Sequence, residues 1–176
     1  MAETAATPAS FGILPDDPAY NATLAARIDD TDTLARVWIK PDGVPTPFEP
    51  GQYVTIGVKV GEKFVQRPYS VASSARALDG GYELYLRLVR GGAFTPLVFS
   101  LPVGHRLRVL APKGKFTMEP ADTRVQIYVS SGTGIAPFVS MARTLADDGA
   151  PRRAIYLNGV SYVSDIGCNK CYLCSQ

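Results

Sequence analysis

Arg67-Pro68-Tyr69-Ser70 sets a guanidinium, an aromatic ring and a hydroxyl within four residues, at the end of an expected strand. In an extended chain Arg67 and Tyr69 share one face, and Pro68 and Ser70 share the other. The planar fork of an arginine matches two oxygens of a diphosphate. A tyrosine face can stack on a flat heterocycle, and a serine hydroxyl can bond a ring nitrogen beside it. Taken alone, the tetrapeptide fits equally well an edge-strand arginine in a salt bridge beside a core tyrosine.

A second stretch runs Ser130-Ser131-Gly132-Thr133-Gly134-Ile135-Ala136-Pro137-Phe138. Glycines at a strand-to-helix turn let the backbone approach a phosphate, and the following helix offers free N–H groups and a positive dipole end. Pro137 falls in the first helical turn, where proline is tolerated. The spacing is not that of the G-x-G-x-x-G fingerprint, and no acidic residue is placed for a ribose in that scheme. A lone Gly-Thr-Gly fits a simple chain reversal better than a binding loop. The third stretch, Val89-Arg90-Gly91-Gly92-Ala93-Phe94-Thr95-Pro96-Leu97, is a Gly-Gly turn before a short helix start. Such turns also meet phosphates through backbone N–H groups, and alone it reads as a turn.

The elements that must position these stretches change character along the chain. Up to about residue 110, β-branched and apolar runs at 22–28, 34–39, 52–58, 64–71, 82–89 and 106–110 alternate with turn-forming segments at 29–32, 41–51, 61–62, 79–81 and 102–104. Tyr82, Leu84, Leu86 and Leu88 alternate with Glu83, Tyr85 and Arg87, which predicts one buried and one available face. Six short strands predict an antiparallel β-barrel of Greek-key type, closed or nearly so. Beyond residue 120 the pattern is β–turn–α–β. An apolar run at 124–130 leads through the Gly-rich turn to a helix over 135–148, stopped by Gly149 and Pro151, and a second run opens at 154–157. That order begins a parallel-sheet, nucleotide-binding α/β domain. The expected division is a flexible segment at 1–17, the barrel at 18–118, a partial α/β domain at 122–167 and a distinct tail at 168–176. Two parallel strands leave sheet edges open and one or both faces uncovered, whereas parallel sheets are normally covered on both. A completing partner, or a longer protein of which this is an incomplete copy, is therefore expected.

Composition narrows the function classes. With 46% hydrophobic and 19% charged residues, the 176-residue chain reads as globular. A net charge of +2 gives no argument for nucleic acid or a membrane surface. No apolar run approaches the roughly 18 residues of a membrane span, and the first ten residues lack a secretory pattern, which makes the cytoplasm the expected location. All three cysteines, Cys168, Cys171 and Cys174, lie in the last nine residues, which excludes a disulfide framework. Their Cys-x₂-Cys-x₂-Cys spacing lacks the fourth thiolate of an iron–sulfur site. A zinc site completed by Ser or solvent stays open, but a tail foreign to the rest of the chain is the simpler reading, and no metal is expected. His105, the only histidine, is expected to be solvated in a turn, and Trp38 to pack in the barrel.

The order and spacing of the three stretches together resemble the ferredoxin–NADP⁺ reductase superfamily, most closely its bacterial ferredoxin/flavodoxin–NADP⁺ reductases, over nearly all of residues 18–167. The resemblance implies an FAD-dependent oxidoreductase that moves electrons between NADP(H) and ferredoxin or flavodoxin, by hydride transfer at flavin N5. It implies that Arg67 meets the FAD diphosphate, with Pro68 beside it, that Tyr69 lies against the isoalloxazine, and that Ser70 bonds near N5, Tyr69 and Ser70 being the catalytic pair. Tyr85, Leu86 and Arg87 are similar to the next FAD strand, and Ala93, Phe94 and Thr95 to the diphosphate turn. Thr133 resembles the hydroxyl close to flavin and nicotinamide, with Gly132, Gly134 and Pro137 shaping the NADP pocket. Ser161 stands where the family often has an arginine for the 2′-phosphate, and a serine supplies no charge. The family also continues past residue 167. The alternatives are an electron-transfer subunit that binds flavin, the reductase component of an oxygenase, or an FAD-binding fragment without activity of its own.

Overall fold

The computed structural model describes residues 7–119 and 122–166. Cys168, Cys171 and Cys174 lie outside the described residues. Among those described, no helix is long and apolar enough to cross a membrane.

Six antiparallel strands form the larger lobe: β1 (Ala22–Thr31), β2 (Leu34–Pro41), β3 (Tyr53–Val60), β4 (Lys63–Ser70), β5 (Tyr82–Arg87) and β6 (Arg106–Lys113). They are hydrogen-bonded in the order β4-β3-β6-β1-β2-β5, with β6 returning between β3 and β1. The two end strands meet at a single bridge, Val71 to Leu84. The sheet is thus curled into a barrel that is not fully closed, its seam touched among the described residues at that bridge. The alternation read in the sequence fills the inside. Leu24, Val37, Ile39, Ile56, Leu84, Leu86 and Leu107 are fully buried, and a short helix, α1 (Thr95–Ser100), plugs the barrel through Leu97 and Val98.

The segment at 29–32 is not all turn, because β1 continues to Thr31. Asp29 pairs with Arg27, and Asp30 takes the fork of Arg36 at 2.9–3.0 Å, so both aspartates are held extended. The reversal is compressed into the next residues, where Thr31 Oγ1 accepts the N–H groups of Thr33 and Leu34. Residues 8–13, expected to be flexible, are folded onto the barrel. Pro8–Phe11 form one 3₁₀ turn, and Ile13 is buried and bridges Val60. The apolar pair Phe11 and Ile13 is the reason, since both add to the core.

The smaller lobe contains β7 (Gln126–Ser131), α2 (Ala136–Asp147) and β8 (Ala154–Gly159). β7 and β8 pair in parallel, from Gln126–Ala154 to Ser131–Gly159. Helix α2 covers one face. The Phe138 ring stacks on Tyr128 at 4.6 Å, Tyr156 lies 5.1 Å from Tyr128, and Phe116 meets Phe138 edge-on at 5.7 Å. On the other face Ile127 and Val129 are 63% and 67% exposed, and Ile155 and Leu157 are also exposed. Among the described residues, then, nothing covers this face of the sheet.

Candidate functional site

The seam of the barrel carries the site. β4 ends in Arg67-Pro68-Tyr69-Ser70 and β5 continues through Tyr85-Leu86-Arg87. Because these two strands join only at Val71–Leu84, the edge backbone beyond that bridge is left unpaired by any strand, a row of groups able to receive a ligand.

The side chains on the β4 side of the seam are available. Arg67 is exposed, and its Nη1 donates to the Gln66 carbonyl at 2.7 Å, with no carboxylate of the described residues paired to it. Ser70 is half-buried and its hydroxyl makes no hydrogen bond among the described residues. Tyr69 leans on Phe94, ring centroids 6.1 Å apart and tilted by 32°. Burial pushes its hydroxyl up to about 12, against the opposing pull of the Arg67 charge. Tyr69 therefore stays neutral in water near pH 7, suited to stacking and hydrogen bonding and not to proton removal.

The other named residues divide. Leu86 is buried inside the barrel and Phe94 in the same core. Their side chains cannot reach a ligand in the seam, so only their main chain is available to one. Thr95 Oγ1 accepts the Val89 N–H at 2.9 Å, which ties the Gly91-Gly92 turn shut, and Ala93 stays exposed at its tip. Gly92 sits closely there, since a Cβ would stand 3.0 Å from the Val89 carbonyl oxygen and the turn would have to give by a few tenths of an ångström. Arg87 is not open to the seam alone. Its Nη2 donates to Asp165 Oδ2 at 2.6 Å, and that carboxylate is buried.

β5 departs from the expected pattern because both its faces are buried. Tyr85 and Glu83 stand on the face expected to be available, but the smaller lobe covers them. Tyr85 packs with Ala72, Ile135, Ala136 and Val139. This contact sets the 3₁₀ turn Gly132–Ile135 and the start of α2 beside the residue pair that follows Ser70. Gly132 has φ +52°, which disfavours any residue with a side chain, and an added Cβ there would meet nothing within 4 Å. Space above the turn is open. Thr133 is half-buried with no hydrogen bond from its hydroxyl among the described residues, and Pro137 occupies the first turn of α2. Just before the turn, Ser130 Oγ donates to Asn158 Oδ1 at 2.8 Å, joining β7 and β8 at their carboxyl ends. Ligands of open α/β sheets bind at such ends.

Reasoning from sequence missed Glu83, Ser140, Arg143 and Thr144, which join the lobes. The signal was there: Ser140, Arg143 and Thr144 repeat at i, i+3 and i+4 on an otherwise apolar helix. It also misplaced two residues. Trp38 alternates with the buried Val37 and Ile39 and so faces outward, against the α2 side of the barrel. His105 is half-buried. Its Nε2 has no hydrogen-bond partner among the described residues, and burial holds the ring below its ordinary pKa.

Residues 43–118 match the model of the oxidoreductase FAD-binding domain. The chain is 34% identical over 129 residues to ferredoxin–NADP reductase B of Sorangium cellulosum, covering 72% of this chain and 52% of that protein. It is 39% identical over 127 residues to the reductase component 1 of terephthalate 1,2-dioxygenase from a Comamonas species, covering 72% and 35%. A ferredoxin NADP⁺ reductase from Neisseria gonorrhoeae, solved with bound FAD and NADP, superposes with a TM-score of 0.75 at 21% identity, over 88% of this chain and 63% of that one. An Amycolatopsis cytochrome P450 reductase gives 0.72 at 32% identity, over 84% and 44%. The chain spans about half the length, or less, of these curated relatives.

Proposed function

The chain belongs to the ferredoxin–NADP⁺ reductase superfamily, and on that premise we propose that it binds FAD in the barrel seam and exchanges electrons with NADP(H) at the Gly132-Thr133-Gly134 turn. The observation that carries this reading is the pairing of an uncommitted Arg67 and Ser70 on one side of the seam with an open glycine turn packed against Ala72 and Tyr85.

The residues present fit the cofactor. Arg67 has no carboxylate partner among the described residues to compete with a diphosphate, and its fork matches such a group. Tyr69, braced by Phe94, offers a neutral aromatic face. Ser70 offers a free hydroxyl, and the main chain around Ala93 and Thr95 forms the turn that would meet the phosphates. Bound FAD supplies hydride exchange at N5 and release of single electrons; the protein orients it and excludes water. Thr133, Gly132, Gly134 and Pro137 would receive the nicotinamide end of NADP(H). Leu86 would contribute only main chain, and Arg87 acts as a strut to Asp165.

The electron acceptor we propose is ferredoxin or flavodoxin, after the Sorangium relative. The Comamonas relative, more identical over nearly the same span, favours a second reading as the reductase component of an oxygenase. The test is to load the full chain with FAD and add NADPH or NADH without oxygen, following the flavin bands near 450 nm. Bleaching by NADPH supports the reading. A yellow protein that neither nucleotide bleaches refutes the nicotinamide half of it and leaves the flavin half standing.

A further inference from the structure

Helix α2 is fastened to the barrel through one polar face. Ser140 Oγ donates to the Ser73 carbonyl at 2.7 Å. Arg143 Nη1 donates to the Ala72 carbonyl at 3.0 Å and to Glu83 Oε2 at 2.6 Å. Thr144 Oγ1 accepts the Ala75 N–H at 2.9 Å and donates to the Ser140 carbonyl at 2.8 Å. Ser140, Thr144 and Glu83 are all buried. The barrel groups they meet come from residues 72–75, which begin two positions after Ser70, and from β5 at Glu83. The helix that opens with the Gly-Thr-Gly turn is therefore docked on the direct continuation of the Arg67–Ser70 strand.

Beyond this contact the packing gives way. A cleft of about 620 Å³ lies behind α2, between Val139, Ala142 and Ala146 of the helix and Trp38, Gly80 and Gly81 of the barrel. Apart from the exposed carboxylate of Asp147 at its rim, the polar side chains that reach the cleft are engaged with one another: Arg143 with Glu83, Ser73 with the Glu83 N–H and Ser74 with Thr144. What the cleft provides is room for α2 to rock, with little apolar packing on that side to resist it. On its other side α2 rests on the barrel through Ile135, Ala136 and Val139 against Ala72 and Tyr85, and the polar contacts add directional restraint to that packing.

We propose that Glu83 and Arg143 are positioning residues, whose ion pair holds the Gly132-Thr133-Gly134 turn at the distance from the β4 flavin strand that hydride transfer requires. The inference rests on the function proposed above. A buried ion pair is a poor source of net stability but fixes one geometry, and transfer between two bound rings is steep in distance, so that a displacement of about 1 Å costs on the order of a hundredfold in rate. Glu83 borders the seam through its main chain, whose carbonyl accepts the Ala72 N–H at 2.8 Å, while its carboxylate turns to Arg143.

The experiment uses the full chain loaded with FAD, as wild type, Glu83→Gln, Arg143→Lys and the double variant Glu83→Gln/Arg143→Gln, which removes both charges of the pair. Three readouts are taken: FAD affinity, the rate of flavin bleaching against NADPH concentration, and amide hydrogen exchange over 132–139. The expected result is FAD affinity within about threefold of wild type, with exchange over 132–139 accelerated about tenfold or more and the limiting bleaching rate lowered about ten- to a hundredfold. The half-saturating NADPH concentration changes less, and Arg143→Lys recovers part of the loss. Unchanged exchange in the double variant overturns the proposal, as does a limiting rate equal to wild type. Loss of FAD in step with loss of rate shows a merely structural role and also overturns it. Failure of NADPH to bleach the wild type refutes the proposed function instead; exchange that stays slow in the variants then overturns the latch separately.

Discussion

Phe138→Ala separates the two lobes in energy. Phe138 is buried, stacks on Tyr128 at 4.6 Å and meets Phe116 edge-on. Truncating a buried phenylalanine costs about 3–5 kcal/mol, which includes aromatic pairs each adding about 0.5–1.5 kcal/mol beyond area alone. That loss falls on a lobe that, among the described residues, has a two-stranded sheet covered on one face, and such a sheet is marginal at best. The barrel, by contrast, keeps its own core of Leu24, Val37, Ile39, Leu84, Leu86 and α1. The expected outcome is rapid hydrogen exchange over 126–131 and 154–159, while strands β1 to β6 stay protected and FAD still binds. Hydrogen exchange with mass analysis reads both lobes in one sample, and the flavin spectrum reads the seam. Protection of β7 and β8 equal to wild type would refute the reasoning. So would simultaneous loss of barrel protection and bound FAD, because the flavin site would then depend on the smaller lobe.

Other outcomes follow from single contacts. Burial holds His105 below its ordinary value of about 6.5, so the unfolded chain binds more protons than the folded one below that pH. Stability should fall as pH drops through about 6.5 and level off below the folded value; melts between pH 7.5 and 5.5 should slope less in His105→Gln, and equal slopes contradict this. Gly51 has φ +105°, and a Cβ would stand 2.0 Å from the Phe116 carbonyl oxygen and 2.7 Å from Met141. Gly51→Ala should cost more than about 1 kcal/mol, at about 2–4 °C of melting temperature per kcal/mol, and an unshifted melt rules the contact out. Arg87→Met and Asp165→Asn should lower the melting temperature alike and leave FAD affinity within about threefold; selective loss of FAD in the arginine variant would make Arg87 a ligand and not a strut.

The barrel was legible because its strands carry a period-two pattern, as in Val37 and Ile39 around Trp38 or Leu84 and Leu86 around Tyr85. What that pattern leaves open is what lies on the outer face. Tyr85 and Glu83 fall on the available face by alternation, yet the smaller lobe buries them, and no local signal announces a contact made 60 residues later by Arg143. Asp29 and Asp30 look like turn residues by type, but pairing with Arg27 and Arg36 keeps them extended. The strand-to-helix turn was legible because glycine and proline at Gly132, Gly134 and Pro137 report backbone geometry directly. Leu86 and Phe94 were harder, since a motif names positions without saying whether side chain or main chain faces the seam.

The central claim is that the seam between β4 and β5 holds FAD. Titrating FAD into the flavin-free full chain and into Arg67→Ala, with the visible spectrum and flavin fluorescence followed at fixed ionic strength, tests it most directly. The account predicts one FAD per chain with a perturbed flavin spectrum, and an affinity at least about tenfold weaker in Arg67→Ala, the equivalent of about 1.4 kcal/mol. Saturating FAD that leaves the spectrum of the wild-type chain unperturbed, or equal binding by both proteins, would contradict it.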